Sequence, residues 1–489
     1  MNETEKIKKK MKTSIKQNLA YQGFYEVLNM ILPLFTSPYI SRVVGVEGLG
    51  IFSYTYSIAY YFQLFGMLGI KFYGNRAIAR VRNDRNETNR IFSEILTVHI
   101  IISIICTAIY VIYVIFDKQY QLYSALQVFM VLASLFDISW FFFGIEEFKT
   151  TVVRNTIIKI ASVACIFIFV HKSSDLWKYV FIMSLSQLIG NLILFIISKN
   201  YVRYMMPQIG DICKHLKPML VLFIPVISTS IFKYMDKIML GLIGDKIELG
   251  YYENAEKILN IPLSIILSFG SVMLPKMSNL LANKDNKAAS RYIEMSIKYM
   301  SCISIAMAFG MAGIAVNFAP IFWGSAFAPS GILIMMLSIS LPFTTIANIV
   351  RNQDLIPNGK DKYYSIAIIV GAVSNLIINW ILIPRLHSLG VTIGTITSEI
   401  LVCIVQMFMI DKSIPYRKYI RNAMVFLPSG ILMFLIVQFV GNRFGASIAV
   451  LLLQIFVGAI VYGGINLSYF AVTKDEQFVN IVNKIKKVI

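Results

Sequence analysis

From Ile95 to Phe116 the chain runs 22 residues without Asp, Glu, Lys or Arg, and Ile448 to Ala471 is another such block. About 20 apolar residues are what a helix needs to cross a bilayer. In lipid a backbone must satisfy its own hydrogen bonds, so a block this long and apolar folds as a spanning helix. Comparable blocks fall at 17–41, 47–70, 93–116, 121–144, 153–171, 177–198, 218–243, 250–275, 297–319, 328–350, 363–384, 388–410, 422–441 and 447–471. The expected fold is an all-α polytopic membrane protein with about fourteen transmembrane helices. Only 15% of the 489 residues are charged, too few to cover a water-facing surface. This excludes a soluble enzyme and a disordered chain. Strands of an outer-membrane barrel alternate with period 2 over about 10 residues, so a barrel is excluded as well.

The net charge is +19. In a soluble protein that would point to nucleic acid; here its distribution reports topology, and no nucleic-acid partner is expected. Most of the 45 basic residues fall in the N-terminus, the even-numbered loops and the tail. The odd-numbered loops hold only Arg42, Lys118, Lys172, Lys246, Arg385 and Arg443. Lys/Arg-rich loops stay in the cytoplasm, so both termini are expected there. No small-residue cleavage site follows the charged start, and the first helix is expected to remain as an anchor. Cys106, Cys165, Cys213, Cys302 and Cys403 are widely spaced without a CxxC, which predicts packing residues and neither disulfide nor metal site.

A short pattern repeats. Gly45–Phe52 (GVEGLGIF) follows the first block and Gly244–Tyr252 (GDKIELGYY) follows the seventh. Both place Leu-Gly and an aromatic in an outer turn that opens the next helix. Six helices separate them, so the halves run parallel, a known transporter plan. The expected division is 1–214 for helices one to six, 215–412 for helices seven to twelve, and 413–489 for a terminal helix pair and tail.

Charges inside the blocks are the candidate site. Lys233, Asp236 and Lys237 stand at i, i+3 and i+4 on one face of helix seven, with Lys233 roughly 15 Å deep. Glu253, Glu256 and Lys257 cluster on helix eight. A charge at mid-membrane costs about 2.5–3.5 kcal/mol on insertion scales, so these groups meet a partner or a wet cavity. Two readings stay open: ion pairs that hold the helices together, or a hydrated substrate cavity. Asn375 and Asn379 at i, i+4 on helix eleven and Arg42 at the outer end of helix one are further binding candidates. Glu399, Asp137 and Glu26 are coupling or protonation candidates. His99, His171, His215 and His387 are scattered, and no P-loop or metal-ligand spacing occurs; the chain is expected to be no enzyme and to need no cofactor.

Several stretches resemble the Wzx-type polysaccharide flippases of the MOP transporter superfamily. They are Asp137–Lys149 (DISWFFFGIEEFK) with Arg154 and Asn155, Met235–Gly241 (MDKIMLG), Gly250–Ile258 (GYYENAEKI), Arg351–Lys360 (RNQDLIPNGK) and Asn379–Pro384 (NWILIP), then Leu389-Gly390 and Ser398-Glu399. They occur in family order along the whole chain. The resemblance implies two six-helix lobes around a central cavity plus two C-terminal helices. It implies translocation, by alternating access, of an undecaprenyl-diphosphate-linked oligosaccharide to the outer leaflet, for capsule, O-antigen or exopolysaccharide assembly. Lys233, Lys237 and Lys257 would then offset the diphosphate, and the asparagines would meet sugar hydroxyls. The implied partners are the bilayer, the lipid-linked glycan, a polysaccharide polymerase and a chain-length regulator. The alternatives are a flippase for a peptidoglycan or teichoic-acid lipid precursor and a multidrug/cation antiporter of the same superfamily. An antiporter's cavity should be acidic and poor in lysine.

Overall fold

The computed structural model describes the backbone of residues 3–410, 414–475, 478 and 479, and their side chains except 3–27, 29, 30, 209 and 232. All regular structure among them is helical. Two compact units divide the chain, residues 1–250 and 251–489.

The first unit opens with α1 (Glu3–Met67), which contains two spans meeting at Gly45. The φ/ψ there is 78°/178°, a region essentially reserved for glycine. A short amphipathic helix α2 (Ile70–Val81) leads to α3 (Arg85–Phe116), capped by the Asp84 carboxylate, which accepts from the amides of Asn86 and Glu87. Next come α4 (Gln121–Leu135), α5 (Ser139–Gly144), α6 (Phe148–Phe169) and α7 (Leu176–Ser198). The seventh block folds as α8 (Ile209–Ser230), a π turn over Ile231–Met235, and α9 (Asp236–Ile243). The unit ends in the first turns of α10 (Lys246–Ala282).

The second unit takes the rest of α10, then α11 (Asn286–Trp323), α12 (Ala328–Leu337) and α13 (Ser340–Val350), which ends in a second π turn, Arg351–Leu355. The 48-residue α14 (Asp361–Phe408) contains two spans either side of a kink at His387. The remainder is α15 (Tyr416–Ala423), α16 (Phe426–Phe444) and α17 (Ile448–Val472). Ten of the described helical segments are long and apolar enough to cross a membrane, and eleven if the α12–α13 bend of 45° counts as one span. With α14 double, and α1 adding its own two, each of the fourteen apolar blocks has a helix. The chain is a multi-pass, all-α membrane protein.

Small residues let these helices approach closely, as membrane packing requires. A Cβ at Gly74 of α2 would stand 2.5 Å from the Trp140 ring, and one at Gly144 2.7 Å from Ile78. Trp140, Phe141 and Phe142 are fully buried here, in a cluster with Ile70, Ile78 and Phe92. The aromatic run of the Asp137–Lys149 motif is therefore core.

A stripe on α3 holds the connector that leads to α8. Asn89 accepts from the Arg203 amide at 2.9 Å, Ser93 from the Met205 amide at 2.8 Å, and Thr97 bonds the Tyr204 hydroxyl at 2.9 Å. One residue away on α3, buried Glu94 meets His215 Nε2 at 2.8 Å and Lys214 Nζ at 3.0 Å, while Tyr73 bonds His215 Nδ1 at 2.6 Å. The connector and the start of α8 are thus pinned to α3, although 121 residues separate Glu94 from His215.

In the second unit, polar bonds lock the terminal helix pair onto α11. Asn317 donates to Gln454 at 3.3 Å, Gln454 to the Val437 carbonyl at 2.8 Å, and Tyr462 to the Cys302 carbonyl at 2.7 Å. Just past α17, Asp475 pairs with Lys298 and accepts from the Tyr299 hydroxyl and the Phe478 amide. Burial pushes its carboxyl up, but these three donors outweigh that and leave it below the usual carboxylate range. Its contribution is therefore present above the ordinary aspartate pKa and is lost as pH falls through the depressed native value. Asp475→Asn is expected to release the tail at neutral pH, by about 1–2 kcal/mol. Limited proteolysis in nanodiscs checks this: wild type and variant should differ at pH 7 and converge in acid.

Candidate functional site

Helix seven is disturbed where its charges lie. Pro218 and Pro225 fall inside α8, and each removes a backbone donor. The π turn follows six residues after Pro225. A π turn carries one residue more than an α turn and shifts the faces that follow it. The i, i+3, i+4 expectation is changed accordingly: Asp236 and Lys237 are buried, whereas Lys233, inside the π turn, is left uncovered by protein.

Between the two lysines lies Tyr234. Its ring is 5.8 Å from Lys233 Nζ and 5.7 Å from Lys237 Nζ. Tyr60 from the second span of α1 stacks on it, ring centroids 3.8 Å apart, with Tyr56 one turn earlier at 6.3 Å. Tyr61 donates to the Ser230 carbonyl at 3.3 Å. Two cations and a stack of phenol rings thus share one patch within the first unit. Each lysine gains about 0.5–2 kcal/mol from the ring face. The patch offers fixed positive charge beside flat aromatic surface, a combination suited to an anion joined to sugar rings. Tyr56, Tyr60 and Tyr234 were not among the sequence candidates, because tyrosine within an apolar block carries no charge signal.

Asp137 occupies the break between α4 and α5. One carboxylate oxygen accepts from the Ser139 amide and hydroxyl (3.2 and 2.6 Å), and the other pairs with Lys71 Nζ at 3.3 Å. Lys71 is the second residue of α2. Arg42, at the end of the first span, is exposed. The side chain of Glu26 lies outside the described residues.

The two Leu-Gly turns meet. A Cβ at Gly50 would stand 1.7 Å from the Lys246 carbonyl oxygen, and one at Gly250 would stand 2.1 Å from the Val46 carbonyl oxygen. The two contacts are reciprocal under the repeat: position 50 on 246, position 250 on 46. Lys246 Nζ, 3.9 Å over the Tyr54 ring and 5.1 Å from that of Tyr120, donates to the Gly241 carbonyl.

In the second unit, Lys257 pairs with Glu253 at 3.3 Å and lies 3.5 Å from the Asn254 side-chain oxygen Oδ1. Glu253 is buried and Glu256 half-buried. Asn379 donates to Asn375 at 3.2 Å, and both are fully buried. A Cβ at Gly394 would stand 2.1 Å from the Asn379 oxygen, so the asparagines face the returning arm of α14. Glu399 accepts from Thr344 at 3.0 Å. Arg351, in the second π turn, reaches Tyr364 (3.4 Å to its hydroxyl, 5.4 Å to the ring).

A family model described as "Polysaccharide biosynthesis protein" matches residues 15–281. A "Putative O-antigen transporter" from Shigella dysenteriae is 23% identical over 393 residues, covering 79% of this chain and 98% of the relative. One of the same description from Escherichia coli K12 is 22% identical over 397 residues, covering 80% and 95%. Among solved structures, lipid II flippase MurJ in an inward closed conformation superposes with TM-score 0.72 at 16% identity, over 93% of this chain and 99% of that one. An inward-facing MATE multidrug transporter of the MOP superfamily gives TM-score 0.61 at 14% identity, over 78% and 93%. All four carry descriptions of transporters or flippases, and the two structures show that the chain shares their fold. With more than half of its length matched by the family model, the chain belongs to the polysaccharide biosynthesis protein family.

Proposed function

We propose that this protein is a flippase for a lipid-linked polysaccharide precursor. Its cargo is an oligosaccharide repeat unit on undecaprenyl diphosphate, moved from the cytoplasmic to the outer leaflet of a bacterial cytoplasmic membrane by alternating access, with both termini cytoplasmic. The observation that carries this reading is the Lys233–Tyr234–Lys237 turn stacked on Tyr60. A diphosphate needs compensating charge to leave water, and in a low-dielectric setting the Coulomb attraction is several-fold stronger than in bulk solvent. Sugar rings present C–H faces that pack on phenol rings. Asp236 and Arg42 in the first unit are further proposed binding residues, and so, taken separately, are Lys257, Glu253, Glu256, Asn375 and Asn379 in the second. Asp137, Glu399 and Glu26 are the proposed coupling groups.

The test separates charge from shape. Arg keeps the charge of Lys233 in a different geometry, and Gln keeps donors without charge. Lys233→Arg is expected to retain most export of surface polysaccharide per unit of membrane protein in a strain lacking its own flippase. Lys233→Gln and Lys237→Gln should each lose at least tenfold, and Tyr60→Ala several-fold. Equal activity of the Arg and Gln variants would rule out anion binding by this turn.

A further inference from the structure

Helices α6 and α7 leave a seam that lies apart from the candidate site described above. Two cavities of about 510 and 530 Å³ lie along it, and Ile158 lines both. Lining positions on α6 recur every three or four residues from Thr150 to Phe169, and those on α7 do the same from Trp177 to Ile197. The seam is therefore one groove along the helices. The 22 residues of α6 span roughly 33 Å, the full thickness of the hydrocarbon core.

The walls present hydrocarbon. The two hydroxyls in the second cavity are turned back on their own helices: Ser162 donates to the Lys159 carbonyl at 2.8 Å and Ser186 to the Met183 carbonyl at 2.9 Å. The ends differ. At one mouth Lys149 and Arg154 outnumber Glu147, with Tyr201 beside them. At the other, Lys178 is balanced by Asp175 at 2.8 Å, with Trp177 beside it. Aromatic residues at both ends are the usual markers of the two interfaces.

The geometry points to a binding track for one polyisoprenoid chain, its phosphate at the Lys149/Arg154 mouth and its hydrocarbon along the seam. An acyl chain of an ordinary phospholipid belongs to one leaflet and reaches about half of the ~30 Å core. A groove that continues past the midplane matches a longer chain. The surplus of positive charge at one mouth matches a phosphate there. This inference rests on the reading that the cargo is a polyprenyl-linked lipid.

Cys165, half-buried in the second cavity, is a built-in reporter. The experiment uses the full chain in phosphatidylcholine nanodiscs, with the other four cysteines replaced by alanine. Undecaprenyl phosphate is expected to slow alkylation of Cys165 by N-ethylmaleimide at least fivefold, and phosphatidylglycerol is not. Lys149→Gln should raise the protecting concentration about tenfold. Native mass spectrometry of Ala161→Trp, which fills the groove at an exposed position near mid-length, should show loss of bound undecaprenyl phosphate. Absence of protection, or equal protection by phosphatidylglycerol, overturns the inference and makes the seam an ordinary annular-lipid groove. Either result beside an intact Lys233→Arg/Gln difference discards the track alone. Selective protection without that difference keeps the track and discards the assignment of Lys233.

Discussion

Gly50→Ala is expected to reduce export of surface polysaccharide more than tenfold while leaving the amount of protein in the membrane within about twofold. The added carbon would stand 1.7 Å from the Lys246 carbonyl oxygen. The obstacle is backbone, so no side-chain rotation relieves it. The two turns must part by about 2 Å to restore ordinary contact. Gly250→Ala is expected to act alike, because its Cβ meets the Val46 carbonyl oxygen at 2.1 Å. Alanine is favoured over glycine inside a helix by up to about 1 kcal/mol, so local helix stability moves in the opposite direction from the expected loss. Gly463→Ala and Gly464→Ala supply the control. A Cβ at either has nothing within 4 Å, and both variants should export normally. Normal export by Gly50→Ala would show that the reciprocal contact is dispensable.

Glu94→Leu is expected to destabilise the first unit by about 3 kcal/mol, the range for removing one member of a buried charged network. Glu94 and His215 are 1% and 2% exposed. The carboxylate receives His215 and Lys214 from α8, and His215 also holds Tyr73 of α2. Its removal leaves His215 Nε2 and Lys214 without their carboxylate and cuts the tie between α3 and α8, while Tyr73 still holds Nδ1. Thermal unfolding in detergent measures the loss. A double-mutant cycle with His215→Ala should give a coupling of about 1–3 kcal/mol. Additive effects would mean that the two residues act separately, and a loss under 1 kcal/mol would mean that packing alone holds α8.

The contrast between Glu94 and the spans shows what a sequence of this kind discloses. Each span was legible because hydrocarbon imposes one rule on about 20 consecutive residues, and that rule is local. The paired glycines were legible as a repeated motif, though not as a contact. Glu94 and His215 gave no local signal: one lies at the edge of an apolar block, the other in a basic connector. The i, i+4 rule placed Lys233 with Lys237, and both do flank Tyr234, but the π turn at Ile231–Met235 leaves one exposed and the other buried, a difference that a regular period does not show. Asn375 and Asn379 were legible as a pair on one face. What that face meets is decided by Gly394, which lets the returning arm of α14 close over it. The Tyr56–Tyr60–Tyr234 stack draws on two distant segments, so it emerges only once helices are placed side by side.

The bonds from Asn89, Ser93 and Thr97 to residues 203–205 bear on how topology is mapped in practice. The segment is largely exposed, non-helical and follows the sixth span, which makes it an inviting point for inserting a phosphatase or fluorescent reporter. Such a fusion would pull Arg203 and Met205 off α3 and leave buried Asn89 and Ser93 without those donors. A reporter there would record a damaged molecule. The Asn283–Asp285 turn between α10 and α11, exposed throughout and tied to the rest of the chain only through its own neighbours, is the sounder insertion point.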